Sequence, residues 1–355
     1  MGNDKFRIDS HKLIYHPERV ADWLNGKNIY PIYMEISPCG ACNIRCKFCS
    51  VDFMGYKNRK LETDILLERI SELGQLGLKS IMYAGEGEPF LHPDMCEITE
   101  HTKENGIDSA FTTNGILMEP KKIERILPVT EWIKVSCNAG TRDVYAQVHG
   151  TQPENFDKVF KNLTHAVKVR RENNYKCTLG IQSVLLPDNA DTMVDLAKRA
   201  SDIGLDYFVV KPYMPHHLNR HSYDIKYGEY ESLEQELKKF QNEKFNIIFR
   251  LNAMSKWDHK EREYKKCLAL PFWSYIDAGG NVWGCIAHLD NDKFIYGNIY
   301  ESTFKEIWEG EKRAEFLKWI AESFCLETCK INCRMDEVNK YLWQLKNPPG
   351  HVNFI

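Results

Sequence analysis

From residue 32 to about 211 the chain switches repeatedly between two hydrophobic periods. Short apolar runs at 32–36, 80–84, 109–112, 132–136, 177–185 and 207–210 read as strands. Between them lie longer stretches with apolar positions three and four apart. The clearest, 61–76, places Ile65, Leu66, Ile70, Leu73 and Leu76 on one helix face, and helices are also expected at 93–105, 156–172 and 191–203. Six strands alternating with helices predict a parallel sheet of right-handed βαβ units. The expected fold is α/β, a partial (β/α)6 TIM-like barrel over 31–251; an open doubly wound sheet has the same periodicity and is the rival. In either case ligands gather at the carboxyl ends of the strands. Residues 1–30 form a polar leader. After 211 the pattern changes: 213–230 is rich in His, Tyr and Pro, a helix is expected at 231–240, and a last strand-like run lies at 245–251. Residues 252–355, with short aromatic strands and glycine turns, read as a small cysteine-rich α+β extension.

Composition narrows the class. The chain has 355 residues, 47 basic and 50 acidic, for a formal charge of −3, so nothing in bulk charge asks for a nucleic-acid or membrane-surface partner. The polar start, Met1 to Phe6, lacks a secretory signal, and no apolar run reaches the length of a membrane span. A cytoplasmic protein is expected. Twelve cysteines are then anomalous, because a reducing compartment favours metal ligation or thiol chemistry over disulfides.

Cys42, Cys46 and Cys49 form a C-x3-C-x2-C triplet just after the first expected strand. Three thiolates on one tight loop suit three irons of a [4Fe–4S] cluster and leave the fourth iron open. Zinc is the rival, but structural zinc takes four closed ligands, with Cys39 as the nearest fourth.

The triplet, with Phe48 before its last cysteine, resembles the cluster loop of the radical S-adenosylmethionine (SAM) superfamily. The run Gly85-Glu86-Gly87-Glu88-Pro89 after the second strand, Thr113-Asn114-Gly115 after the third and Val135-Ser136-Cys137-Asn138 after the fourth follow in that family's order. The resemblance covers about 32–211. It implies a SAM-binding [4Fe–4S] cluster, SAM itself, reductive cleavage to a 5′-deoxyadenosyl radical, and an electron donor such as flavodoxin or ferredoxin. By position, Gly85, Glu86 and Gly87 are expected to meet the SAM amino group, and Thr113, Asn114 and Ser136 its methionine or ribose part, with Gln182 or Ser183 after the fifth strand a further contact.

Cys267, Cys285, Cys325, Cys329 and Cys333 lie in the extension, Cys285 closing a G-x4-C stretch from Gly280. This resembles the SPASM/twitch extension of the same superfamily, and five cysteines imply one auxiliary [4Fe–4S] cluster. The last three are spaced i, i+4, i+8, which also lines one helix face. Cys267, Cys285, Cys329 and Cys333 are the expected ligands, with Cys325 interchangeable.

Of the remaining cysteines, Cys96 and Cys177 read as buried structural thiols. Cys137, at a strand end, is the candidate hydrogen-atom donor to a substrate radical, although alternation sets it on the opposite face from Ser136. The donor-rich loop from Lys211 to His221 either closes over the barrel mouth onto an anionic or hydroxyl-rich substrate or is a solvated loop. The leading expectation is a small-molecule substrate, a sugar, cyclitol or nucleotide derivative that is oxidised or epimerised. Peptide or protein maturation is the alternative.

Overall fold

The computed structural model describes residues 6–354; the polar start of the leader, 1–5, lies outside them. Seven strands run parallel in chain order: β1 (Tyr33–Ile36), β2 (Ser80–Tyr83), β3 (Asp108–Thr113), β4 (Thr130–Ser136), β5 (Thr178–Val184), β6 (Tyr207–Lys211) and β7 (Asn246–Phe249). Each is short, four to seven residues, and most carry Ile, Val, Phe or Tyr toward the helices. Helices Thr63–Gln75, Met95–Glu104, Glu154–Asn173 and Met193–Ile203 pack outside, close to where periodicity places them. The first buries Leu66, Ile70 and Leu73, each contributing on the order of 2 kcal/mol.

On β4 the alternation is clean. Ile133, Val135 and Cys137 point into the helix-facing core, whereas Trp132, Lys134 and Ser136 are only half-buried and face inward. The lumen so formed is polar: Glu35 of β1, Thr112 of β3, Lys134 of β4, Gln182 of β5 and Lys211 of β6 line one cavity.

The strand count exceeds the expected six. The extension supplies β8 (Trp273–Ile276), which pairs parallel with β1 from Tyr33↔Trp273 to Ile36↔Ile276. The antiparallel strands β9 (Asn281–Trp283) and β10 (Ile295–Asn298) follow, and the sheet order is β10-β9-β8-β1-β2-β3-β4-β5-β6-β7. One sheet therefore runs through barrel and extension. Short helices that periodicity misses also appear at Pro120–Ile126, Arg142–His149 and Leu251–His259. With about two turns each, they carry too few apolar positions for a period to show.

Candidate active site at the barrel mouth

The C-x3-C-x2-C loop leaves the carboxyl end of β1 and is gripped by the end of helix Arg142–His149. Arg45 N–H donates to the His149 carbonyl at 3.1 Å and Lys47 N–H to the Val148 carbonyl at 3.0 Å. Gly150, with φ +56°, closes that helix, and a Cβ there would stand 2.2 Å from the Arg45 carbonyl oxygen, so the approach requires glycine. His149 is buried, and its Nδ1 sits 3.2 Å from Cys46 Sγ. All twelve cysteines are free thiols. Burial, then Cys49 and Cys42, push the Cys46 thiol far above its ordinary value, and burial with Glu88 pushes Cys42 up to about 12. Three partly buried neighbouring sulfurs without a disulfide are stabilised as thiolates by a bound cation. The donor set fits an iron–sulfur cluster.

The glycine–glutamate turn lies against this loop. Glu88 N–H donates to the Ala41 carbonyl, and a Cβ on Gly87 would meet the Cys39 carbonyl oxygen at 2.2 Å. Its two carboxylates act as staples. Glu86 is buried; it takes Arg59 Nη2 on both oxygens at 3.0 and 3.1 Å and Ala278 N–H at 2.8 Å. Its carboxylate therefore binds the barrel to the extension and is turned away from the cavity. Glu88 accepts from Thr113 Oγ1 at 2.6 Å, Asn114 N–H at 2.8 Å and Phe90 N–H at 3.2 Å, which locks the second-strand turn onto the third. The Thr113 hydroxyl is spent on Glu88, and the Asn114 amide donates to Asn43 of the cluster loop at 2.7 Å. Of this turn, Gly85 is the residue that borders the cavity.

That cavity, about 280 Å³, is walled by Cys49, Gly85, Ser136 and Gln182 on the barrel side. Gln182 Nε2 donates to Ser136 Oγ at 3.3 Å, so these two sit together on the cavity wall. Cys137 does not join them. It is fully buried, its Sγ–H directed to the Ala139 carbonyl at 3.6 Å, and burial raises its pKa to about 12. The backbone alternation that brings Ser136 inward turns this thiol into the core, with no access to a substrate in the lumen.

The opposite wall carries Cys267, Cys285, Cys329 and Cys333. Burial and their mutual charges raise the thiols, Cys267 to about 11 and Cys285 further. Cys325 is exposed and outside this wall. The segment is not a helix: a single 3-10 turn, Leu326–Thr328, separates Cys325 from Cys329. The 211–221 loop clasps the mouth rather than lying free. Asn219 Nδ2 donates to the Cys49 carbonyl at 2.8 Å and Asp52 at 2.6 Å; His216 is buried and stacks on Phe53. His216 and His217 both face Asp290 of the extension, at 3.2 and 3.1 Å. Sequence reading missed Glu35, Lys134 and Arg334, which line the lumen below this mouth. The signal was present in the first two, as lone charges inside apolar strands.

Fold and site together define a parallel-barrel protein with two separate cysteine groups facing one cavity. The Radical SAM superfamily model matches residues 36–200, and the SPASM iron-sulfur cluster-binding domain matches 267–334. The chain carries a radical SAM domain followed by a SPASM domain, and the cofactors these two domains imply are a SAM-binding [4Fe–4S] cluster, SAM and an auxiliary cluster.

Among curated proteins, the chain is 22% identical over 321 residues to the tungsten-containing aldehyde ferredoxin oxidoreductase cofactor-modifying protein of Pyrococcus furiosus, covering 84% of this chain and 85% of that one. It is 25% identical over 190 residues to the GTP 3′,8-cyclase of Chlorobaculum tepidum, covering 53% and 56%. Among solved structures, Streptococcus suis SuiB bound to precursor peptide SuiA matches with TM-score 0.66 and 17% identity, covering 84% of this chain and 69% of that one. This last likeness shows the fold. Among the described residues no helix is long and apolar enough to cross a membrane.

Proposed function

We propose that this radical SAM enzyme modifies a peptide or protein, abstracting hydrogen from a side chain inserted into the barrel lumen. The observation that carries the reading is the fold shared with SuiB over 84% of the chain, since SuiB was solved with its precursor peptide. A lumen bordered by the exposed residues Ser10 and Asn252 gives an inserted side chain a way in. Cys42, Cys46 and Cys49 would hold the SAM-binding cluster, which would supply the electron for reductive cleavage of SAM. Gly85, which borders the cavity, is the proposed contact of this turn for the SAM amino group, and Ser136 and Gln182 offer polar contacts across the cavity. Cys267, Cys285, Cys329 and Cys333 hold the auxiliary cluster on the far wall. Reduced flavodoxin or ferredoxin is the proposed electron source.

A polar small molecule, such as a sugar, cyclitol or nucleotide derivative undergoing oxidation or epimerisation, is the second reading. It is favoured by the charged lining of the lumen and by GTP in the name of one relative. The test is 5′-deoxyadenosine release by the reconstituted, reduced protein. A cell extract is divided by dialysis into macromolecular and dialysable fractions. Stimulation by the former supports a peptide or protein substrate, and stimulation by the latter supports the second reading. No 5′-deoxyadenosine under any condition rejects both.

A further inference from the structure

The lumen below the SAM site is lined by basic and acidic side chains, and not every basic group is paired with a carboxylate. Lys12, Lys134, Lys211, Arg250 and Arg334 line it, as do Asp9, Glu35, Asp336 and Glu337. The acidic groups have partners. Glu35 is ion-paired with Arg334, Asp9 with Arg250 at 2.9 Å, and Asp336 and Glu337 with Lys256 from outside the cavity. Among the described residues Lys134 and Lys211 make no close ion pair; the carboxylate whose charge reaches both, Glu35, is already paired with Arg334.

They stand on β4 and β6, either side of Gln182 on β5, and their side chains share the cavity of about 400 Å³. We propose that Lys134 and Lys211, with Arg334 beside them, form an anion subsite that holds a carboxylate or phosphate of the substrate. This rests on the reading that the lumen receives the substrate, and it names the chemistry of the part that enters.

Three observations converge. Two lysine side chains facing one cavity are costly to charge together, and a bound anion favours charging both. Burial and the neighbouring cations Arg334 and Arg250 lower Lys134 to about 7, and burial with Lys134 itself lowers Lys211 well below its ordinary value. Lys134 also lies two residues, about 6.6 Å, deeper along β4 than Ser136. Lys211, in register with Val184, stands nearer the mouth than Gln182, so an anion held by both lysines sits between those two levels and leaves the rest of the substrate extending toward Gly85 and the mouth. Anchoring the charged end in depth fixes which carbon reaches the radical.

Binding to the reconstituted protein is measured by calorimetry with three probes: inorganic phosphate, succinate and the blocked peptide acetyl-Gly-Glu-Gly-amide. Binding of at least one probe is expected. It should weaken about tenfold or more in Lys134→Met and in Lys211→Met, stay within about threefold in Lys134→Arg, and be unchanged in the distant surface variant Lys318→Met. The probe bound tightest separates a phosphate from a free or peptidyl carboxylate. Iron content and circular dichroism of each variant establish that it has folded.

If either methionine variant fails to fold, the arginine variant paired with Lys134→Gln provides the same comparison. No binding of any probe to the wild type, or binding that both lysine replacements leave unchanged, overturns the subsite. That failure is distinct from failure of the enzyme reading, which shows as absent 5′-deoxyadenosine release.

Discussion

His149 donates a hydrogen bond to Cys46. Its Nε2 accepts the Asn138 backbone N–H at 3.0 Å, so the proton sits on Nδ1, 3.2 Å from the sulfur. Burial pushes its pKa down to about 3, and the ring is neutral across working pH. A neutral donor to a cluster-bound sulfur stabilises the reduced state, which carries the extra negative charge. Replacing His149 with Phe is expected to lower the potential of the SAM-binding cluster by about 40 mV, the equivalent of roughly 1 kcal/mol in a one-electron couple. Redox titration followed by electron paramagnetic resonance checks this. An unchanged potential removes the role.

Gly150 predicts a loss confined to one cluster. In Gly150→Ala the new methyl group meets the Arg45 carbonyl, and the cluster loop must withdraw from the helix that holds it. Reconstituted iron should fall from about eight to about four per chain, with the auxiliary cluster retained. Retention of both clusters with an intact spectrum contradicts this.

The three closely spaced cysteines of the extension separate cleanly. Cys325→Ala is expected to keep about eight irons, because that thiol is exposed and off the cavity wall. Cys329→Ala or Cys333→Ala should lose up to about four. An iron loss in Cys325→Ala equal to the other two would reverse the assignment.

Glu88 accepts three buried donors. Removing the carboxylate in Glu88→Ala leaves the Asn114 and Phe90 N–H groups and the Thr113 hydroxyl unsatisfied, at a cost of about 2–4 kcal/mol. Thermal unfolding of the reconstituted protein reads this as a drop of several degrees. A midpoint equal to wild type shows that the staple is not needed.

Cys137→Ala tests the opposite expectation. The thiol is sealed in the core, so 5′-deoxyadenosine release should remain within about twofold of wild type, with a stability loss of about 1 kcal/mol for the small cavity. Abolished turnover in a folded variant with both clusters would restore a chemical role.

Local signals were the legible ones. Strand runs, the helix Thr63–Gln75 and the cysteine triplet are set by neighbours in sequence, and all stand where the pattern puts them. The orientation of Glu86 was not legible, because its partner Ala278 lies 192 residues away. Nor was the pairing of β8 with β1, since four apolar residues carry no hint of which strand they join. For Cys325, Cys329 and Cys333 spacing alone left open which face the cavity, and the turn at Leu326–Thr328 in place of a helix separates Cys325 from the other two. Lys134 was readable in principle: a lysine between Ile133 and Val135 in a buried strand has to face something polar.

Because β8 pairs with β1, the extension also protects the first barrel strand from solvent and from other chains. Without residues beyond 251, β1 would present a row of unpaired backbone groups next to Met34 and Ile36, both fully buried in the intact chain. Such an exposed apolar edge is a template for strand addition. A barrel cut free of its cysteine-rich partner is therefore expected to associate with itself, and the chain is best expressed whole.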